Sequence, residues 1–142
     1  MLQRNYHTHT YRCHHATGDV IDYAKAAIEA GLTTLGMSDH VALPDNRWIN
    51  VRMSMAELDD YEKAIEYARE ECPDLTILKG MECEYVQDFH GYLEYELLGK
   101  RGFDYLIGAA KPSTIIWVKI AKTGKVMIVM NCSVKHRGKF HY

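Results

Sequence analysis

Stretches that favour β-strands alternate with stretches that favour helices, and this alternation constrains the fold of the chain more than any other feature. Apolar runs typical of strands occur at residues 33–38, 75–84 and 105–110, and the short, largely polar stretch at residues 2–6 is a further strand candidate. Helical apolar periodicity occurs at residues 20–29, 54–71 and 91–100. Such alternation is typical of a parallel sheet with helical crossovers. The sequence therefore predicts an α/β fold.

Helix-capping residues support the predicted boundaries. Asp19 precedes the first helix, where its carboxylate can accept hydrogen bonds from free backbone N–H groups. Gly31 follows that helix, at the position where glycine commonly ends one. Ser54 and Glu57 have the capping-box spacing at the start of the second helix.

Polar residues follow three of the predicted strands. His7 and His9 follow the first strand, Asp39 and His40 the second, and Glu82 lies near the end of the third. In parallel α/β folds the functional site lies at the carboxyl ends of the strands. We therefore expect these residues to meet at one rim of the sheet.

Histidines are concentrated near the start of the chain, where His14 and His15 follow His7 and His9. Residues two apart on a strand point to the same side, so His7 and His9 can hold one ion. Neutral imidazole suits zinc, iron and manganese. The alternative is a solvated loop, and the convergence of other strand ends argues against it.

Composition indicates an ordinary globular domain. The 142 residues are 47% hydrophobic and 25% charged, with a net charge of −2. No basic arm suggests nucleic acid as a partner, and no apolar run is long enough to span a membrane. We interpret the cysteines as reduced thiols of a cytoplasmic protein, since they form no CxxC pair: Cys13, Cys72, Cys83 and Cys132.

The pattern changes after residue 110. Residues 115–120 and 126–130 predict a β-hairpin with its turn at Thr123 and Gly124. The remaining residues are basic, and we interpret His136 and His141 as tail residues rather than ligands.

Three motifs follow one another along the chain: His7-Thr8-His9-Thr10 with His15, then Ser38-Asp39-His40, then Gly80-Met81-Glu82. In this order they resemble the PHP (polymerase and histidinol phosphatase) family, and most closely its monofunctional histidinol-phosphatase type. The resemblance covers residues 6–110.

The resemblance implies a distorted TIM-like (β/α) barrel with a site for two or three divalent ions of zinc, manganese or iron. It implies metal ligation by five residues: His7, His9, His15, His40 and Glu82. Glu82 would bridge two ions and act in catalysis, and Asp39 would orient a ligand or water. We predict Arg12, His14 and Lys111 as contacts for substrate.

The chain departs from the family at two points. Lys111 replaces a family histidine ligand, and a protonated lysine has no lone pair for a metal. The family also continues with further strands. We therefore interpret residues 1–110 as the N-terminal part of a PHP domain and residues 111–142 as a divergent tail of a truncated or frame-altered product. Exposed edges of such a partial barrel would favour oligomers.

The resemblance implies a hydrolase of histidine biosynthesis, a metal-dependent phosphatase acting on a small phosphorylated substrate. One alternative is a catalytically impaired metal-binding fragment or interaction module, which Lys111 favours. Another is a phosphoesterase acting on nucleotides or nucleic-acid ends, which the lack of a basic stripe before Lys111 disfavours.

Overall fold

The computed structural model describes residues 3–84, 86–109 and 126–130. Strands and helices alternate as the sequence predicts. The strands are β1 (Arg4–Asn5), β2 (Thr34–His40), β3 (Thr76–Glu84), β4 (Tyr105–Ala109) and β5 (Val126–Met130). The helices are α1 (Val20–Glu29), α2 (Leu58–Glu71) and the π-helical α3 (Tyr92–Lys100). Short 3-10 turns lie at Tyr11–Cys13, Ile49–Val51, Met55–Glu57 and Gln87–Phe89.

The five strands within the described residues form one parallel sheet in the order β1-β2-β3-β4-β5. The sheet curls into a half-barrel, which confirms the predicted α/β architecture of a partial TIM-like barrel. The register pairs His40 with Glu82, so the ends of β2 and β3 lie side by side. This pairing positions the candidate site.

The predicted hairpin is described only in part. Its second strand is β5, which pairs parallel with β4 so that Val126 lies opposite Tyr105. Residues 115–120 and the turn at Thr123 and Gly124 lie outside the described residues. Lys111, Cys132 and the tail histidines lie outside them too.

Local signals in the sequence account for the helix boundaries. Asp19 caps α1 through a capping box with Asp22, and Gly31 follows the helix with φ of 74°. Glu57 Oε2 accepts a hydrogen bond from Ser54 N at 2.8 Å, just before α2. These contacts satisfy backbone groups that a helix end leaves without partners.

The two faces of the sheet differ. Alternate residues of β2 and β3 pack into the core formed with α1 and α2: Leu35, Met37, Ile77 and Met81. The opposite face carries Gly36 and Gly80, and the ring of Tyr105 lies over both. The site residues His40 and Glu82 continue this second face towards the strand ends, because side chains two apart point the same way.

Three cysteines are described, and they are buried free thiols: Cys13, Cys72 and Cys83. Within the described ranges, no helix has both the length and the apolar character that a membrane span requires.

Candidate metal centre

Carboxyl ends of three strands bring side chains from distant parts of the sequence together. His7 and His9 follow β1, His40 ends β2 and Glu82 lies near the end of β3. Thr8 helps to fix the segment after β1, because its N–H donates to Ser38 Oγ at 3.1 Å and its carbonyl accepts from Ser38 N at 2.8 Å. The rim of the sheet therefore presents imidazoles beside a carboxylate.

The closest group consists of His7, His9 and Glu82. Glu82 Oε2 lies 3.1 Å from His7 Nε2 and 3.0 Å from His9 Nε2, and the two nitrogens are 2.9 Å apart. Two ligands about 2.1 Å from one ion lie about 3.0–3.4 Å apart at octahedral or tetrahedral angles. The three atoms thus have the spacing of ligands that share a cation, and imidazole and carboxylate are suitable donors for zinc, manganese and iron.

A second group shares His9 with the first and adds His15 and His40. The ring centroid of His9 lies 4.7 Å from that of His40 and 5.6 Å from that of His15. His15 Nδ1 lies 2.8 Å from Cys13 O. A carbonyl only accepts, so this nitrogen carries the proton and Nε2 retains its lone pair for an ion.

His40 faces two carboxylates. Its Nδ1 lies 3.6 Å from Glu82 Oε2 and 3.6 Å from Glu84 Oε1. This nitrogen is buried and has no hydrogen-bond partner among the described residues, and the same holds for Nδ1 of His9. Buried polar atoms without partners are uncommon in folded proteins, and both nitrogens face carboxylate oxygens: His9 Nδ1 lies 3.8 Å from Asp39 Oδ1, whereas His40 Nδ1 lies between Glu82 and Glu84.

The electrostatics of the cluster favour an ionised glutamate. Burial alone would raise the pKa of Glu82, but hydrogen bonds from His7 and His9 hold it well below its ordinary value. The hydrogen bond to Glu82 raises the pKa of His7. Burial lowers the pKa of His40, so this imidazole favours the neutral form that binds metal.

Asp39 lies behind the histidines and is fully buried. It accepts hydrogen bonds from Thr10 N at 2.8 Å and from Thr10 Oγ1, and its Oδ1 lies 3.8 Å from His9 Nδ1. Burial raises the pKa of Asp39. Tyr61 braces the same segment, because its hydroxyl accepts from Asp39 N at 3.4 Å and donates to Gly80 O at 3.1 Å. These contacts place Asp39 where it can orient His9.

Arg12 has a different environment from the one expected of a phosphate contact. Its side chain is only 2% exposed, and the guanidinium donates to Asp19 and Asp60, with the shortest contacts at 2.6 Å to each. It also lies 4.5 Å from the ring of Tyr11. With its donors directed at two carboxylates, Arg12 ties the histidine segment to α1 and α2. Its role as a substrate contact stays a prediction.

The other two predicted substrate contacts are His14 and Lys111. His14 is exposed and ends the turn Tyr11–Cys13 with φ of 63°. Its role as a substrate contact stays a prediction. Lys111 lies outside the described residues, so its predicted role also stays untested.

Sequence reasoning missed Glu84 beside the cluster, and with it the ion pair that Glu84 forms with Arg52. Glu84 lies two residues beyond Glu82 on β3 and joins Arg52 Nη1 to His40 Nδ1. Strand alternation contains the signal for Glu84, because residues 82 and 84 share a face. No comparable local pattern identifies Arg52, which reaches the site from the loop before α2.

A model of the PHP domain family matches residues 5–117. A protein of Deinococcus radiodurans described as a probable histidinol-phosphatase is 35% identical over 106 residues, which cover 72% of this chain and 40% of that protein. The chain thus spans about 40% of the length of this relative. A crystal structure described as that of a putative histidinol phosphatase from Listeria monocytogenes superposes with a TM-score of 0.60 at 24% identity, over 74% of this chain and 43% of that one. This structural match shows a shared fold.

Proposed function

This chain belongs to the PHP domain family, and from that premise we propose that it is a metal-dependent phosphoesterase that hydrolyses a small phosphomonoester. The observation that carries the proposal is the contact of Glu82 Oε2 with Nε2 of both His7 and His9, at 3.1 and 3.0 Å. Three donors converge on one point at the rim of the sheet. A cation there would be held by two neutral ligands and one negative ligand.

Two groups of residues would hold ions. His7, His9 and Glu82 form one, and His9, His15 and His40 form the other. A divalent cation supplies a Lewis acid for the phosphoryl group and lowers the pKa of a bound water towards neutrality. Zinc, manganese or iron would suit these donors, with two or three ions in a complete family site.

The protein residues have separable roles in this proposal. Glu82 remains ionised and balances cationic charge, because His7 and His9 hold its pKa low. Asp39 positions His9 from behind. Burial keeps His40 neutral and able to donate a lone pair. His14 and Lys111 remain predicted contacts for the substrate.

The substrate we propose is a phosphorylated small molecule of the histidinol-phosphate type. The support is the Deinococcus relative, whose described activity is that of a histidinol-phosphatase. Hydrolysis of a phosphomonoester is extremely slow without a catalyst. An active chain would therefore give a rate far above the uncatalysed background.

The direct test is phosphate release from histidinol phosphate by the purified chain with added Mn²⁺ or Zn²⁺. We expect turnover that a chelator abolishes and that Glu82→Gln lowers at least about 100-fold, because an amide oxygen is a much poorer ligand for a cation. Glu66→Gln is the matched control, since Glu66 pairs with Arg69 on α2. Turnover that persists in chelator, or that Glu82→Gln leaves intact, would overturn the proposal.

A second candidate is a metal-binding fragment without turnover. It is favoured by Lys111, which stands where the family resemblance implies a histidine ligand and which has no lone pair for a metal when protonated. Tight binding of Mn²⁺ or Zn²⁺, together with no phosphate release from histidinol phosphate or from p-nitrophenyl phosphate, would select this alternative.

A further inference from the structure

Two charged side chains next to the cluster belong to neither group of candidate ligands. Glu84 is the last residue of β3, and Arg52 precedes the turn that leads into α2. We propose that Glu84, held in place by Arg52, positions His40 by selecting the imidazole tautomer with the proton on Nδ1, so that Nε2 is the ligand atom. The inference rests on the proposed metal site and adds a positioning pair to it.

Glu84 lies within reach of both Arg52 and His40. Its Oε2 accepts a hydrogen bond from Arg52 Nη1 at 2.9 Å, and its Oε1 lies 3.6 Å from His40 Nδ1. The first contact is a charge-assisted hydrogen bond, whereas the second is electrostatic at this distance. One carboxylate thus connects a permanent cation with an imidazole of the site.

Arg52 places a charged guanidinium in a buried position beside the candidate site. Its side chain is 2% exposed, and Nη1 also donates to Val41 O at 3.1 Å, directly after His40 in the sequence. A buried guanidinium needs a counter-charge, because removing an unpaired ion from water is costly. Glu84 is its carboxylate partner among the described residues. The Arg52 contacts therefore hold both Glu84 and the backbone beside His40.

The loop that carries Arg52 is also constrained. Trp48 adopts φ of 55°, a conformation that bulky residues rarely adopt. The guanidinium of Arg52 lies 5.2 Å from the Trp48 ring, within the range of a cation–π contact. The ring is half exposed, whereas the guanidinium beside it is buried. The strained loop thus fixes the position of the Arg52 guanidinium. Through that guanidinium it also fixes the position of the Glu84 carboxylate.

The two carboxylates determine the tautomer of His40. Nδ1 faces Glu82 Oε2 and Glu84 Oε1 at equal distances of 3.6 Å. Carboxylates only accept hydrogen bonds, so a proton on Nδ1 is attracted, whereas a lone pair there is repelled. Glu82 already accepts from His7 and His9. Glu84 is therefore the carboxylate that is available to hold the Nδ1 proton, and Nε2 is free for an ion, as in other carboxylate–histidine–metal arrangements.

Histidine side-chain NMR tests the assignment on the metal-free protein. Long-range ¹H–¹⁵N spectra distinguish the two tautomers, and the His40 signals are assigned by their loss in His40→Ala. In the wild-type chain with chelator we expect the tautomer with protonated Nδ1. In Glu84→Gln we expect a mixture of the two His40 tautomers, or the tautomer with the proton on Nε2. We also expect calorimetry to show an Mn²⁺ affinity about 10- to 100-fold weaker than that of the wild-type chain.

Glu66→Gln is the matched control, because it also removes the charge of a glutamate paired with an arginine, at 2.8 Å from Arg69. The control should change neither the His40 tautomer nor the Mn²⁺ affinity. If Glu84→Gln does not fold, Arg52→Lys replaces it, since lysine keeps the positive charge but lacks the guanidinium fork that holds Glu84. The same change in His40 tautomer is expected there.

Two results would overturn the positioning role of Glu84. One is a wild-type chain in which His40 Nδ1 carries a lone pair instead of the proton. The other is a Glu84→Gln variant with the wild-type His40 tautomer and an Mn²⁺ affinity within twofold of wild type. Neither result would bear on the proposed function, which phosphate release from histidinol phosphate tests separately. Conversely, a chain without turnover would still report the tautomer of His40, because that measurement uses metal-free protein.

Discussion

The ring of Tyr105 lies over Gly80, which faces it from the paired position on the neighbouring strand. The Tyr105 hydroxyl donates to Tyr6 O at 2.7 Å and lies 3.1 Å from Met37 O. One side chain of β4 thus crosses β3 and β2 and reaches the backbone after β1. This is possible because Gly36 and Gly80 leave room for the ring, and it fixes the curvature of the sheet on which the site residues lie.

Replacing Gly80 with alanine should disrupt this arrangement. The added Cβ would lie 2.8 Å from Met37 O and even closer to the Tyr105 ring, so the sheet or the ring must move. We expect the free energy of unfolding to fall by about 3 kcal/mol, measured by urea denaturation. Gly91→Ala is the control, since its Cβ meets nothing closer than 3.7 Å. Equal stability of the two variants would contradict the packing described.

Thr10→Val tests the support behind His9. The substitution keeps the shape of the side chain but removes the hydroxyl that donates to the buried carboxylate of Asp39. An incompletely satisfied buried carboxylate should cost about 1–3 kcal/mol of unfolding free energy. Thr33→Val, which removes an exposed hydroxyl bonded to Gln3 O, should cost less. A Thr10 variant as stable as the Thr33 variant would show that this bond contributes little.

Arg12→Lys distinguishes a structural role from a substrate contact. Lysine cannot reproduce the contacts with Asp19 and Asp60, so we expect a loss of about 2–4 kcal/mol in unfolding free energy. At a temperature where the variant is folded, its KM for histidinol phosphate should match that of the wild-type chain. A large increase in KM with unchanged stability would support Arg12 as a phosphate contact.

The ion pair between His7 and Glu82 should make the stability of the metal-free protein depend on pH. The raised pKa of His7 gives a stabilisation that is complete below about pH 6.5 and is lost as the pH rises through the raised value. The lowered pKa of Glu82 gives a second stabilisation, which is complete above about pH 4.3 and is lost as the pH falls through the lowered value. The pair therefore contributes most between these two values.

Urea unfolding of wild type and His7→Gln, in chelator, measures this contribution. The stability difference between them should be larger at pH 5.5 than at pH 8.5, and added salt should reduce it, because His7 is partly exposed. A difference that is as large at pH 8.5 would show that the His7–Glu82 contact is not ionic.

Strand ends could be predicted from the sequence because their signals are local. A buried run that stops at Asp39 and His40 indicates the end of a strand, and β2 ends at His40. Parallel strands place their carboxyl ends together, so the proximity of His40 to Glu82 follows from topology alone. The capping signals at Asp19 and Ser54 are local as well, and they bound α1 and α2 closely.

Contacts that depend on tertiary packing could not be predicted. Arg12 is adjacent to the histidines in the sequence, yet its guanidinium turns towards Asp60, 48 residues away. Arg52 joins the site only because the loop before α2 folds back on β3, and nothing near Arg52 in the sequence indicates Glu84 as its partner. The side-chain period of a strand could have identified Glu84, whereas both arginines required the folded structure.

Metal binding by the His9 variant tests the central claim most directly, because His9 belongs to both candidate ligand groups. Calorimetry with Mn²⁺ or Zn²⁺ should show binding to the wild-type chain and to His90→Ala, a control histidine that pairs with Glu94. His9→Ala, and the double variant with His40→Ala, should lose that binding. Metal affinity and stoichiometry that stay at the wild-type values in the double variant would contradict a shared cation site at this rim.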